Sequence, residues 1–121
     1  MDKWQTIQAF WSGFSIPAYD ENSVPDSAVM PYITYQAITS DFEDQNIMPV
    51  SVWYRSSSWA DISQKVDEIS QRIGSHLELP MGDREYIHIQ KGSPFAQRMK
   101  DEDNTVKRIY INVVVEYFTR N

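Results

Sequence analysis

Two histidines, a run of three acids and a band of cations are the places in this sequence where side-chain types suggest chemistry. His76 falls where a helix is expected to close, and His88 alternates with Ile87 and Ile89 as a strand residue would. A metal or general acid–base role needs further ligands or an orienting carboxylate at suitable spacing. None lies at such spacing from either histidine, so both read as structural, His76 as a cation suited to the negative end of a helix. Asp101, Glu102 and Asp103 would attract a divalent cation, yet the spaced oxygens, the glycine and the closing glutamate of a calcium loop are missing. A solvated loop is the better reading. Asp83 and Glu85 are near each other, but paired-carboxylate catalysis needs a defined cleft, and nothing signals one. Ser56, Ser57 and Ser58 precede a helical pattern, where capping accounts for them without a nucleophile. Gly13, Gly74, Gly82 and Gly92 are scattered, so no loop cradles phosphate. Arg98, Lys100, Lys107 and Arg108 are interleaved with the acid run, which favours a salt-bridged surface over a nucleic-acid patch. The chain reads as a non-enzyme with no cofactor and no metal.

Composition narrows the class further. A chain of 121 residues is expected to make one domain with a single ordinary core. With 41% hydrophobic and 13% aromatic residues, four Trp and seven Tyr among them, it is too rich in anchoring side chains to be disordered. The absence of cysteine removes disulfides, thiolate metal sites and thiol nucleophiles. No apolar run approaches a membrane span, and Met-Asp-Lys-Trp-Gln lacks the form of a secretion signal, so a protein made in a cytoplasm is expected. A formal charge of −6 argues against a broad grip on a phosphate backbone, where affinity comes from cations displacing counterions. Abundant Tyr, Trp and Met suit protein interfaces, although a small core uses aromatics too.

The elements that must position these residues follow from periodicity. Trp4, Ile7, Phe10 or Trp11, and Phe14 recur at helical intervals, so Lys3–Phe14 is expected to be a short helix ended by Gly13 and Pro17. Ala18–Pro31 is polar and aperiodic, a loop. Tyr32–Ile38 and Ile47–Arg55 are β-branched and aromatic strands around a turn over Asp41–Asn46, naturally paired as an antiparallel hairpin. Pro49 inside the second strand points to an edge, a bulge or the strand's first residues. Ser58 followed by Asp61 has capping-box form, and Ile62, Val66, Ile69, Ile73 and Leu77 make one apolar stripe, so a central helix spans Trp59–Leu77 and stops at Pro80 and Gly82. Glu85–Lys91 alternates as a third strand, and Gly92–Val106 is a long charged loop of the sort that is functional or mobile. Ile109, Ile111, Val113, Val115 and Tyr117 then occupy every second position of a final strand expected in the middle of a sheet, pairing most simply with the third. The expected fold is α+β, in the order α-β-β-α-β-β: an antiparallel or mixed four-stranded sheet with helices on one face.

Taken together, these features resemble the small tail-terminator and head-to-tail joining proteins of long-tailed bacteriophages. The resemblance rests on an N-terminal amphipathic helix and an irregular loop ending in Met30-Pro31-Tyr32-Ile33-Thr34-Tyr35-Gln36. It continues through Val50-Ser51-Val52-Trp53-Tyr54-Arg55, the helix Trp59–Leu77 and the closing strand Ile109–Phe118. It spans nearly the whole chain, and its motifs are structural. Such a resemblance implies a structural protein of a virion or prophage that assembles in the host cytoplasm. It further implies a hexameric ring, a tail terminator that caps the tail tube protein and offers its other face to a head–tail connector or neck protein. DNA would pass through the ring without specific binding, and no membrane is involved. On this reading Gly92–Val106 and Ala18–Pro31 are contact loops, with Phe95, Arg98, Met99, Lys100 and Asp101 in one and Tyr19, Val24 and Met30 in the other. Excising Phe95–Asp103 is expected to leave the fold intact and abolish joining. The alternatives are a neck, head-closure or minor tail component of the same virion, or, in another class, a small dimeric α+β regulatory or ligand-binding module.

Overall fold

A computed structural model describes residues 2–38 and 45–118. The chain opens with helix α1 (Lys3–Trp11), held by a capping box in which Asp2 Oδ1 accepts from the Gln5 N–H at 2.8 Å and Gln5 Oε1 accepts from the Asp2 N–H at 3.0 Å. A short 3₁₀ turn, Ser12–Phe14, ends with Ser15 in the left-handed region at φ 66°. Strand β1 (Ala18–Asp20) and a second 3₁₀ turn (Glu21–Ser23) follow. Next come β2 (Tyr32–Tyr35), β3 (Gln45–Arg55), helix α2 (Ala60–Ile73), β4 (Leu77–Gly82), β5 (Glu85–Met99) and β6 (Val106–Phe118).

One sheet runs in the order β1-β2-β3-β6-β5-β4, so six strands replace the four expected. All neighbours are antiparallel except β1 on β2. The α+β class and the central place of the last strand stand, and so does the expected β2–β3 hairpin. Of the turn expected over Asp41–Asn46, residues 41–44 lie outside the described range, and Gln45 and Asn46 already belong to β3.

Several boundaries differ from the sequence reading: Ala18–Asp20, inside the expected loop Ala18–Pro31, pairs with β2 as β1, α1 stops at Trp11, and β2 stops at Tyr35. The larger differences have physical reasons. Helix α2 ends at Ile73 because Gly74 turns the chain at φ 61°, ψ −139°, a backbone that only glycine adopts readily, and its N–H closes on the Ser70 carbonyl at 2.9 Å. Leu77 therefore belongs to β4, and Pro80 and Gly82 lie within an edge strand where they were expected to stop a helix. At the front of α2 the Ser58 hydroxyl accepts only from the Ala60 N–H, at 3.2 Å, and Trp59 stands at the cap without a side-chain bond. The Ser58–Asp61 capping box does not form. Finally, Gly92–Val106 is no loop: β5 continues through Met99, pairing Ala96, Gln97, Arg98 and Met99 with Ile111, Tyr110, Ile109 and Arg108.

Pro49 sits in a long interior strand, opposite Asn112 of β6. Its carbonyl accepts from the Gln36 N–H at 3.0 Å on the β2 side. In a strand the nitrogen and carbonyl of one residue point the same way, so the missing N–H faces past the end of β2 and costs the β6 ladder nothing.

The core lies between one sheet face and the helices. Odd residues of β6 from Ile109 to Tyr117, with Met48, Val50 and Val52 of β3, meet the α2 stripe Ile62, Val66, Ile69 and Ile73, and α1 contributes Ile7, Phe10 and Trp11. Tyr117 is buried at 2% exposure, and its hydroxyl donates to the Ile38 carbonyl at 2.7 Å. Burial pushes its phenol above the ordinary value. The Tyr35 and Tyr54 phenols are raised too, first by burial and then by Asp20 for Tyr35 and by Asp61 and Glu68 for Tyr54.

A raised phenol stabilises the fold below its unfolded pKa of about 10 and loses that contribution as the pH climbs toward the folded value. Tyr117→Phe should therefore cost about 1 kcal/mol at pH 7, the worth of one hydrogen bond, and give a shallower loss of stability above about pH 10. Denaturant midpoints measured across that pH range check both.

Candidate partner-binding surface

The far half of β5 and the start of β6 hold the largest group of residues singled out from the sequence. Ladder partners run evenly from Tyr86↔Phe118 to Lys91↔Val113, then resume at Ala96↔Ile111, leaving residues 92–95 opposite Asn112 alone. The Asn112 amide donates to the Pro94 carbonyl at 3.1 Å and fastens this bulge. Gly92 passes so close that a Cβ there would stand 2.9 Å from Asn112 Cβ and 3.0 Å from its carbonyl oxygen. Close approach, not an unusual φ, is what requires glycine at this point. The bulge shifts the register so that Arg98 pairs with Ile109 and its side chain falls on the helix face.

There Arg98 and Lys107 both lie over the Trp59 ring, at 4.9 and 5.6 Å from its centroid. The Lys107 ammonium, on a side chain only 8% exposed, donates to the Asn104 carbonyl. Trp59, Arg98, Met99, Lys100, Asp101 and Lys107 line a shallow hollow of about 310 Å³. The acid run is occupied within the turn. Asp101 Oδ1 accepts from the Asp103 N–H at 3.0 Å, and Asp103 Oδ1 accepts from the Thr105 N–H and hydroxyl at 2.9 and 2.7 Å. Arg55 reaches across from β3 to Asp103 Oδ2 at 3.3 Å and to the Thr105 hydroxyl at 2.9 Å. The bonds from Thr105 hold the Asp103 carboxyl below its usual range, with Arg55 assisting.

The four cations weighed as one patch are divided by the period of the strand. Arg98 and Lys107 point to the helix face, whereas Arg108 points to the open face, 4.6 Å from the Trp53 ring centroid, with its Nε donating to Ser51 at 3.1 Å. On that open face Tyr32, Trp53, Arg108 and Met99 are register partners in a single row across the sheet. Trp53 Nε1 donates to Thr34 at 3.0 Å, and Tyr19 meets Tyr32 edge-on at 5.7 Å. Excising Phe95–Asp103 would thus remove ladder partners of Ile109 and Ile111, so the fold is not expected to survive it.

The second group lies across the sheet. Tyr19 is in β1, while Val24 and Met30 are half-buried in the connection from β1 to β2. Three strands, β2, β3 and β6, separate β1 from β5, so the two groups are about 20 Å apart within one chain. Phe95 is half-buried, with the Lys91 ammonium 5.6 Å from its ring.

Pairing also gathers the histidines. The His76 and His88 rings are 5.3 Å apart, and His88 Nδ1 is 3.7 Å from Glu116 Oε1, which also accepts from Gln45 at 3.1 Å. The sequence reading found no carboxylate at metal-ligand spacing from either histidine, and Glu116 comes alongside His88 only through the β5–β6 register. Among the described residues no group of three or more His, Asp or Glu is placed to hold a metal ion. Trp59, missed as a surface anchor, carried one faint signal: a large aromatic directly before a helix.

No family model matches the chain, and no curated protein matches its sequence. By fold, the chain is similar to one from the virion of a native gene transfer agent particle, with a TM-score of 0.67 and 15% identity over 94% of this chain and 90% of that one. The likeness establishes that the two chains share a fold over nearly their whole lengths.

Two substitutions test this construction. Gly92→Ala should cost about 1–3 kcal/mol, because the new methyl meets the Asn112 backbone as well as its side chain; thermal melts measure it. Trp59→Ala should cost about 2 kcal/mol through two lost cation–π contacts and lost packing. Faster tryptic cleavage at Arg98 and Lys100 would show the hairpin end loosened.

Proposed function

We propose that this chain is a structural component of a phage-like virion, a tail terminator that caps the tail tube as a ring and joins the tail to the head connector. The observation that carries the reading is the shared fold with a chain of a gene transfer agent virion, end to end in both chains. The terminator station within the virion is supported by the sequence resemblance to tail-terminator proteins. The protein acts by binding and not by catalysis.

The geometry suits that role. A stiff hairpin end with its cations braced on Trp59 offers one contact surface, and the β1–β2 connection offers another on the far side of the sheet. Two different surfaces on opposite sides of a subunit are what a head-to-tail ring requires. The hexamer, the tail tube protein and the neck or connector protein are the partners this reading assigns. DNA passes the lumen without specific contacts, in keeping with the net charge of −6.

Removing the gene from a producing cell tests the assignment. Electron microscopy should show filled heads beside unattached tails of abnormal and variable length, restored to normal by the gene in trans. Tails of normal length with leaking heads would assign the chain to the neck instead. Unaltered, infectious particles would sink the structural role.

A further inference from the structure

The open outer edge of the far half of β5 and the edge strand β1 on the other side of the sheet are unlike in charge. On its outer side β5 pairs with β4 only as far as Ile89, so among the described residues no strand covers Gln90–Met99 there. Lys91, Arg98 and Lys100 are exposed along and just beyond this open edge, with Met99 among them at 36% exposure. On the other side stands β1, only three residues long and ending in the half-buried Asp20, with Glu21 and Asp26 exposed in the connection that follows. Its connection to β2 carries Val29, 77% exposed. None of these six charged side chains forms an ion pair within the chain among the described residues. An open strand edge with unpaired backbone groups is a template for another chain unless it is covered.

We infer that the partner of the basic β5 edge is the acidic β1 edge of a second copy of this chain. Lys91, Arg98 and Lys100 of one subunit face Asp20, Glu21 and Asp26 of the next, and Met99 meets the apolar side of the connection that carries Val29. Because the two patches are different and lie on opposite sides of one sheet, the contact is heterologous and repeats until it closes. It rests on the ring reading above and names the strand edges and charges through which those two surfaces join the subunits. The two residue groups expected to lie in contact loops are thereby each other's partner across a subunit boundary. The edge also explains its own cations: charge on an open strand blocks promiscuous pairing while admitting an acidic edge.

Charge exchange tests this with the full chain. The variant Lys91→Glu/Lys100→Glu reverses one edge and Glu21→Lys/Asp26→Lys the other; Arg98 and Asp20 are spared because they brace Trp59 and cap the Asn22 N–H. All four positions are exposed, so melting curves should match the wild type within a few degrees. Light scattering after size exclusion should show each variant falling from the ring mass to the monomer. An equimolar mixture of the two should regain the ring, since acid then meets base at every junction of an alternating assembly. Raising the salt to about 1 M, where screening acts within about 3 Å, should dissociate the wild type. Rings that survive either double reversal, or a mixture that stays monomeric, would overturn the edge contact and leave the virion reading standing. A wild type that remains monomeric up to millimolar concentration would overturn both the contact and the ring.

Discussion

Everything in this molecule hangs on β6 being paired on both sides. Val106 to Glu116 pair with β3 without a break, while the opposite edge carries β5 from Tyr86 to Met99. Ile111, Val113 and Val115 are fully buried, and each such side chain contributes about 1.5–3 kcal/mol relative to exposure. The α2 stripe buries Ile62, Ile69 and Ile73 in the core that β6 floors together with its neighbours β3 and β5. The strand is thus both the floor of the core and the rail that sets the register of β5. Only because that rail continues to Arg108 does the exposed half of β5 remain extended.

That dependence explains what could be read in advance. β6, β3, β2 and the stripe of α2 were legible because each buries a periodic face, and burial writes periodicity into sequence. β1, β4 and the far half of β5 were not. β1 is three residues in a parallel edge pair, too short for any pattern to rise above the surrounding polar residues. In β4 the leucine at position 77 happened to extend the helical stripe, and the conformation of Gly74 decided otherwise. Gln97 and Arg98 carry no strand signal of their own, and the ladder to β6 imposes their conformation, while Ser93 and Pro94 lie in the bulge that Asn112 fastens. An edge strand is specified by its neighbour, which a local reading does not see.

The candidate surface was legible in part for the same reason. Arg98, Met99, Lys100 and Asp101 were grouped by adjacency, and the structure keeps them around one hollow. Lys107 and Arg108 were grouped with them, but one step along a strand sends neighbours to opposite faces. Lys107 consequently braces Trp59 on the helix side while Arg108 stacks on Trp53 on the open side. Trp59 and Glu116 entered the picture only through folding, since each is far in sequence from the group it joins.

The bracing of the hairpin end bears on how such a surface would bind. Long cationic side chains normally surrender rotamer freedom when they dock, at about 0.5–1.5 kcal/mol each. Here Arg98 already lies over an indole, Lys91 lies over Phe95, and the turn beyond Lys100 is knotted by the bonds of Asp101, Asp103, Thr105 and Arg55. Much of that ordering is complete before any partner arrives. A contact built from exposed charges is weak pair by pair, because water and salt screen it. If it repeats at every junction of the proposed ring, presented on a braced strand edge, it need not be strong singly. Closure makes the last contact intramolecular, so a modest interface can hold an assembly that no isolated pair of subunits would sustain.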